Sequence, residues 1–249
     1  EYLRAGDVLV VNHTRVLPAR LKLKRRTGGA VEVLLLEERD ADQMQWEALV
    51  RPGGKLSPGE ELLDNTGSVM LRIGQRTDAG DTFFVQFVAR THEDMMQRIM
   101  EGGEMPLPPY ITTALVDQSR YQTVFAHDQK SSAAPTAGLH FTPELLARIR
   151  EAGVEIREVE LVVGLDTFKP ISVDNPLDHV IHTESYRVPA DTLDACLRAR
   201  ESGGRVIAIG TTATRALESA ATFAQLQGRT NLFITPGYQW KVVDMMMTN

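Results

Sequence analysis

One cysteine, Cys196, stands among 249 residues. A lone thiol cannot close an internal disulfide, so burial and hydrogen bonds must hold the fold, and a reducing cytoplasm is the simplest compartment. Its sequence neighbours offer no reactive-thiol setting, and no GxSxG elbow surrounds a serine; serine and cysteine hydrolases therefore rank low. Long apolar runs are missing too. The longest, VLVV and VEVLLL, are far too short to span a bilayer, and no secretory leader is visible. Neither a GxGxxG fingerprint nor a phosphate-binding P-loop is present. Acidic residues are absent from Val8 to Val31, while Arg15, Arg20, Lys22, Lys24, Arg25 and Arg26 all fall there. On a chain of net charge −6, such a run is either a local polyanion-binding patch or a solvated basic strand and turn.

What remains is an ordinary globular composition, 43% hydrophobic and 24% charged, long enough for one large domain or two smaller ones. Between Arg20 and Val88 the runs VEVLLLEE, QMQWEALV, SVMLRIGQR and DTFFVQFV have strand length. Gly/Pro/Asn/Asp turns separate them, as in a small antiparallel barrel or sandwich. EDMMQRIMEGG reads as a helix closed by glycine. The proline-rich MPLPPYI is a rigid connector. After it the pattern changes. TPELLARIREAG places Thr142 at an N-cap, Pro143 at the first helical position and Gly153 past the end. VEIREVELVV is a half-buried strand, DTLDACLRARESGG a helix, RVIAIG a buried strand, TRALESAATFAQLQ a helix and TNLFI a strand. Alternating strands and helices indicate α/β architecture with parallel pairing. The expected organisation is discontinuous: an α/β catalytic domain of residues 1–19 and 104–249, with a β-barrel domain of residues 20–103 inserted. The VLVV strand is assigned to the α/β domain because its polar end resembles a site loop.

Four polar clusters lie at element ends, where loops carry function. NHTR contributes Asn12, Thr14 and Arg15. PTAGLHF contributes a tight turn at Pro135, Thr136 and Gly138, and delivers His140 just before a helix. A neutral imidazole there can act as a base or a hydrogen-bond donor; the alternative is a packing turn with a satisfied histidine. DHVIHTE holds His179, His182 and Glu184. These residue types suit an acid/base pair or a metal, without the HExxH spacing, or simply hydrogen-bonded loop histidines. GTTATRALES follows a buried strand. Thr211 and Thr212 offer hydroxyls and free amides at a helix start, the place where α/β sheets bind ligands. Arg215 and Glu218, three apart on that helix, can pair with each other. The alternative is a threonine-capped helix with a surface ion pair.

Taken together, GDVLVVNHTRVLPARL, MPLPPYI, RYQTVFA, AAPTAGLHFT, HVIHTESY, RVIAIGTTATRALES and LFITPGYQWKVVDMMMTN resemble the S-adenosylmethionine:tRNA ribosyltransferase-isomerase family of queuosine biosynthesis, in order along nearly the whole chain. The resemblance implies an α/β domain with an inserted β-barrel. It also implies transfer of the ribosyl portion of S-adenosylmethionine to 7-aminomethyl-7-deazaguanine in a tRNA anticodon stem-loop, forming epoxyqueuosine and releasing adenine and methionine. S-adenosylmethionine would be a substrate, with no cofactor and no metal. A cytoplasmic monomer with no membrane association is expected. The acid/base function is expected from His140, His179, His182 or Glu184. Substrate binding is expected from Asn12, Thr14, Arg15, Pro135, Thr136, Gly138, Thr211, Thr212, Arg215, Glu218 and Tyr238. Arg15 and the basic stretch after it would meet tRNA phosphates. A catalytically altered tRNA- or nucleoside-binding relative is the alternative, and a metal-dependent hydrolase using His179, His182 and Glu184 ranks third.

The chain departs from the family pattern at particular points. Val162 stands where the family has histidine and Asp166 where it has glycine, in VVGLDTF; Lys130 replaces a glycine before SSAAPTAG. Asp166 adds charge and removes backbone freedom from a site loop. The family also has a segment before the start of this chain and continues with FHLP beyond MMMTN. The expectation is that the flanking pieces contribute to turnover.

Overall fold

A computed structural model describes residues 2–78, 80–107, 111, 117–164, 175 and 181–249. The chain opens with strands β1 (Val8–Asn12) and β2 (Thr14–Val16). Then come β3 (Arg20–Arg25), β4 (Ala30–Asp40), β5 (Gln45–Arg51), β6 (Glu61–Leu63), β7 (Val69–Arg76) and β8 (Phe83–Phe87). Helix α1 (His92–Gly102) and the short β9 (Gly103–Glu104) follow. After β10 (Asp128–Ser131) and a 3-10 turn (Thr136–His140) come α2 (Pro143–Glu151), β11 (Glu155–Leu161), β12 (Glu184–Arg187) and α3 (Ala190–Glu201). The chain closes with β13 (Val206–Ile209), α4 (Gly210–Phe223), β14 (Gln227–Thr230) and β15 (Met245–Met247). It divides into two compact units: Glu1–Arg15, Ala114–Gln129 and Ala134–Asn249 in one, Val16–Thr113 and Lys130–Ala133 in the other.

The second unit is built on a closed antiparallel barrel. Its strands pair in the order β4-β5-β8-β7-β6-β3, and β3 pairs back to β4. Closure follows from the period-two pattern. In β3, Leu21 and Leu23 point inward and Lys22 and Lys24 outward; in β8, Phe83, Val85 and Phe87 are buried. A one-residue slip would turn these side chains out to water, so the pattern sets the register. A closed barrel also leaves no strand edge among these six. Helix α1 is capped by Thr91, whose hydroxyl accepts from the Asp94 amide, and buries Met95 and Ile99.

The first unit is a mixed sheet ordered β14-β12-β11-β1-β13-β15 with helices packed on it. β1 lies in the middle, parallel to both β11 and β13, and is buried along its length. A strand covered on both faces reads as a continuous apolar run, which is why VLVV does not alternate. Leu9 and Val11 share one face with Ile207 and Ile209, and Leu146 and Ile149 of α2 pack there. Each such side chain contributes about 1.5–3 kcal/mol on full burial. Helix α2 starts as its sequence dictates: the Thr142 hydroxyl accepts from the Leu145 amide, and Pro143 occupies the first turn.

Two expectations need correction. Pairing in the α/β unit is not parallel throughout, because β12 runs antiparallel to both β11 and β14. TNLFI is not a strand: β14 ends at Thr230, and α4 stops at Phe223, where Ala224 takes a left-handed φ of 52°. The apolar Leu232, Phe233 and Ile234 line a cavity instead. Among the described residues, no helix is long and apolar enough to cross a membrane.

Candidate active site

The turn from β13 into α4 builds the site. Gly210 adopts φ +84°, the left-handed region that a side chain disfavours, and lets the buried strand break directly into a helix. Residue Ile209 precedes α4 without a side-chain cap. Among the described residues the first-turn amides of the helix thus have no cap from the residue before them, and such amides are donors suited to an anion. Around this turn lies a cavity of ≈ 380 Å³, bounded by Thr211, Thr212, Thr214, Arg215 and Glu184 on its polar side. Leu161, Val163, Ile181, Leu232, Phe233, Ile234, Trp240 and Met246 supply the apolar side. It sits where α/β sheets place ligands, at the carboxyl ends of β11 and β13.

Arg215 organises the polar side. Its Nη1 donates to Glu184 Oε2 at 2.6 Å, and its Nη2 donates to the carbonyls of His182 and Thr230, both at 3.0 Å. Glu184 Oε1 accepts from the Gly164 amide at 2.8 Å. Both side chains are largely buried, with 12% and 8% exposed. The charges compensate each other, while Arg215 Nε and Thr212 Oγ1 are buried without a hydrogen-bond partner among the described residues. Buried polar atoms are normally paired, and these two lie on the polar side of the cavity.

The expected pair of Arg215 with Glu218 does not form. Glu218 is fully buried, its Oε1 accepting from the Val242 and Val243 amides at 2.9 and 2.8 Å. Its Oε2 accepts from the Lys241 amide and the Tyr238 hydroxyl, each at 3.0 Å. The three-residue spacing puts the two side chains near one another on the helix, but backbone amides of the 241–243 loop offer Glu218 more hydrogen bonds than one guanidinium would. Tyr238 also bonds Thr222 Oγ1 at 3.0 Å and meets Trp240 edge to face, with ring centroids 5.3 Å apart. Burial raises the Tyr238 pKa. Glu218 and Tyr238 thus hold the segment that carries Trp240 to the cavity wall.

The other expected residues are placed as follows. Asn12 is buried and pins Leu161, donating to its carbonyl at 3.0 Å and accepting from its amide at 3.1 Å. Thr14 Oγ1 donates to the same carbonyl at 3.4 Å. These two shape the cavity through Leu161 and do not line it. Arg15 is exposed. Pro135, Thr136 and Gly138 build the 3-10 turn, and Ala137 within it would lie 3.5 Å from a Cβ placed on Gly210. A Cβ on Gly138 would fall 2.7 Å from Phe125 Cζ and 2.8 Å from Thr123 Cγ2, so the turn needs glycine for close approach. His140 is exposed, with its Nε2 2.9 Å from Asn249 Oδ1, and is not among the cavity residues. His182 meets Arg215 through its carbonyl. His179 and Asp166 lie outside the described residues. Val162 is buried and donates its amide to the Ser185 carbonyl, continuing the β11–β12 pairing; Lys130 is exposed.

Glu184 is held by Arg215 and by the Gly164 amide, while His179, the first residue of the metal-hydrolase reading, lies outside the described residues. The Cys196 thiol is pushed up to about 12, chiefly by burial, as suits a thiol that packs and does not react. The basic stretch is largely compensated on the barrel. Lys22 meets Glu104 at 2.7 Å, Arg25 meets Glu60 at 2.5 Å and Arg26 meets Glu61 at 2.6 Å. The residues that sequence reasoning missed are the cavity wall, above all Phe233 and Trp240. Their signal was an apolar run followed by PGY, a turn inconsistent with a continuing strand.

Residues 1–249 match the queuosine biosynthesis protein family. Among curated relatives, the S-adenosylmethionine:tRNA ribosyltransferase-isomerase of Symbiobacterium thermophilum is 46% identical over 100% of this chain and 73% of its own length. The protein of the same name from Desulfitobacterium hafniense is 45% identical with the same coverage. Among solved structures, the S-adenosylmethionine tRNA ribosyltransferase of Thermotoga maritima is 31% identical over 98% of this chain and 67% of that one, with a TM-score of 0.41.

Proposed function

The chain belongs to the queuosine biosynthesis protein family, and on that premise we propose that it is an S-adenosylmethionine:tRNA ribosyltransferase-isomerase. It moves the ribosyl portion of S-adenosylmethionine to the aminomethyl group of 7-aminomethyl-7-deazaguanine in a tRNA anticodon stem-loop. The observation that carries this reading is the cavity at the β13–α4 turn, with unpaired Thr212 Oγ1 and Arg215 Nε against an aromatic wall. The open amides of α4, with Thr211, Thr212 and Arg215, suit the methionine carboxylate. Trp240 and Phe233 offer faces to the adenine ring and to the sulfonium cation. Glu184 supplies a carboxylate near that cation whose charge Arg215 moderates.

The reaction begins with loss of a C5′ proton, which the sulfonium makes acidic. Over the whole reaction the C1′–N9 bond to adenine, the C1′–O4′ bond and the C5′–S bond to methionine break, while the bond from the tRNA nitrogen to C1′, the C1′–C5′ bond of the cyclopentane and the C5′–O4′ bond of the epoxide form. The amine and C5′ each give up one proton, of which one goes to the departing adenine and one is released. The candidates for the proton transfers are Glu184, His182, His179 and His140; of the described three, Glu184 lines the cavity. The apolar side excludes water from the ylide. S-adenosylmethionine is consumed as substrate, and the reaction uses no cofactor. The enzyme acts as a monomer in the cytoplasm, where Arg15 contacts tRNA phosphate and the contact weakens with salt.

The test is adenine release by the full-length protein from S-adenosylmethionine and a stem-loop bearing 7-aminomethyl-7-deazaguanine, with an unmodified stem-loop as control. Release that depends on the modified base is expected. Arg215→Ala should lower kcat/KM by about 100-fold, the scale of one lost charge-assisted anchor. No release, with an active relative turning over the same substrates, would instead indicate a binding protein.

A further inference from the structure

A second cluster of titratable groups lies just beyond β1. The His13 amide donates to the Val159 carbonyl at 3.1 Å, and its carbonyl accepts from the His127 amide at 3.0 Å. This backbone pairing stacks the two imidazoles, with centroids 4.2 Å apart and planes within 5°. His127 Nδ1 is 3.2 Å from Asp128 Oδ1, and His13 Nδ1 is 4.0 Å from Oδ2 of the same carboxylate. Both Nδ1 atoms therefore face one acid. On the far side of its ring, His127 Nε2 is 3.0 Å from Glu158 Oε2. His13 is only 8% exposed, and its Nδ1 is buried without a hydrogen-bond partner among the described residues.

We propose that His13, His127 and Asp128 form a site for a divalent transition-metal ion of the zinc class, with Glu158 orienting His127. One ligand atom from each of the three residues lies within 4.8 Å of the others; because the two rings are parallel, one imidazole must turn out of the stack to aim both nitrogen lone pairs at one ion bound at about 2.0–2.2 Å. Two imidazoles and a carboxylate favour zinc, nickel or copper over magnesium or calcium. A ligating histidine that gives its other nitrogen to a carboxylate is the usual supporting arrangement, and the His127–Glu158 contact supplies it. The ion would also satisfy the orphaned His13 nitrogen. A fourth position stays open to water. The inference is independent of the transferase reading, and the ion has no step in that reaction; its effect is to tie the end of β1 to the 127–128 segment.

The experiment titrates metal-free full-length protein with Co²⁺, read by its visible absorption, and with Zn²⁺, read by calorimetry. One ion per chain is expected. His13→Ala and Asp128→Asn should each weaken binding at least 10-fold, while His92→Ala, altering a histidine on the barrel, should not. Asp128 is partly exposed, so its asparagine variant keeps the test valid if the His13 variant fails to fold. No binding at about 100 μM metal, or binding unchanged in Asp128→Asn, overturns the proposal.

Discussion

In the barrel, Glu61 meets Arg26 and Arg72, both exposed to water, and the Glu60–Arg25 pair is half-buried. In the α/β unit, Asp7, Glu184 and Glu218 are buried, and each joins segments far apart in the chain. The same chemical group is thus used in two ways. An exposed pair exchanges solvation for a weak contact and adds little, whereas a buried carboxylate has replaced its water with a fixed set of donors and cannot lose them cheaply. The barrel holds itself together by strand closure and apolar alternation. The sheet unit uses charges to position loops around a cavity.

The contrast can be broken most directly at Glu218. Glu218→Ala leaves three backbone amides and the Tyr238 hydroxyl without their acceptor. A loss of about 3 kcal/mol or more in denaturant unfolding is expected, with a change in Trp240 fluorescence as the 241–243 loop loosens. A loss below about 1 kcal/mol would show that water replaces the carboxylate and that burial here is not decisive.

Asp7 sharpens the comparison through pH. Burial raises its pKa, but the Arg205 guanidinium and the Arg4 and Arg205 amides outweigh that and hold it below the ordinary carboxylate value. A folded-state pKa below the unfolded one means the stabilisation is present above about pH 4 and is lost as pH falls through the folded value. Acid titrations of unfolding free energy should show this loss in the parent and a flatter curve in Asp7→Asn. Equal slopes would remove Asp7 from the group of structural carboxylates.

The smallest effect is expected at the barrel surface. Glu61→Gln removes the exposed pairs to Arg26 and Arg72. Its melting temperature should match that of the parent within error, and a clear drop would put barrel and sheet unit on the same footing.

Much of this was legible without coordinates. The alternation of Leu21 and Leu23 with Lys22 and Lys24 exposes a half-buried strand, and Thr142-Pro143 exposes a helix start, because both are features of backbone period and local capping. RVIAIGTT exposes a strand breaking into a helix at glycine. Partner choice was not legible. Spacing pointed Arg215 at Glu218, three residues on, while the chain supplied Glu184 at a separation of 31 residues. TNLFI had strand composition, but its apolar side chains face a cavity that no local rule describes.

The sequence alone determined the run of short antiparallel strands, the capped α2 helix, the glycine turn into α4 and the family, since each rests on short-range pattern or on strings of residues in order; whether those strands close into a barrel was left open by the pattern and implied only by the family resemblance. Only the tertiary structure decided which groups meet: Arg215 with Glu184 beside the cavity, Glu218 with the 241–243 loop, His13 stacked on His127. Those encounters depend on the sheet order β14-β12-β11-β1-β13-β15, which brings together residues distant in sequence. Local backbone preference acts over a few residues, whereas the order of strands in a sheet is settled by burial of the whole unit.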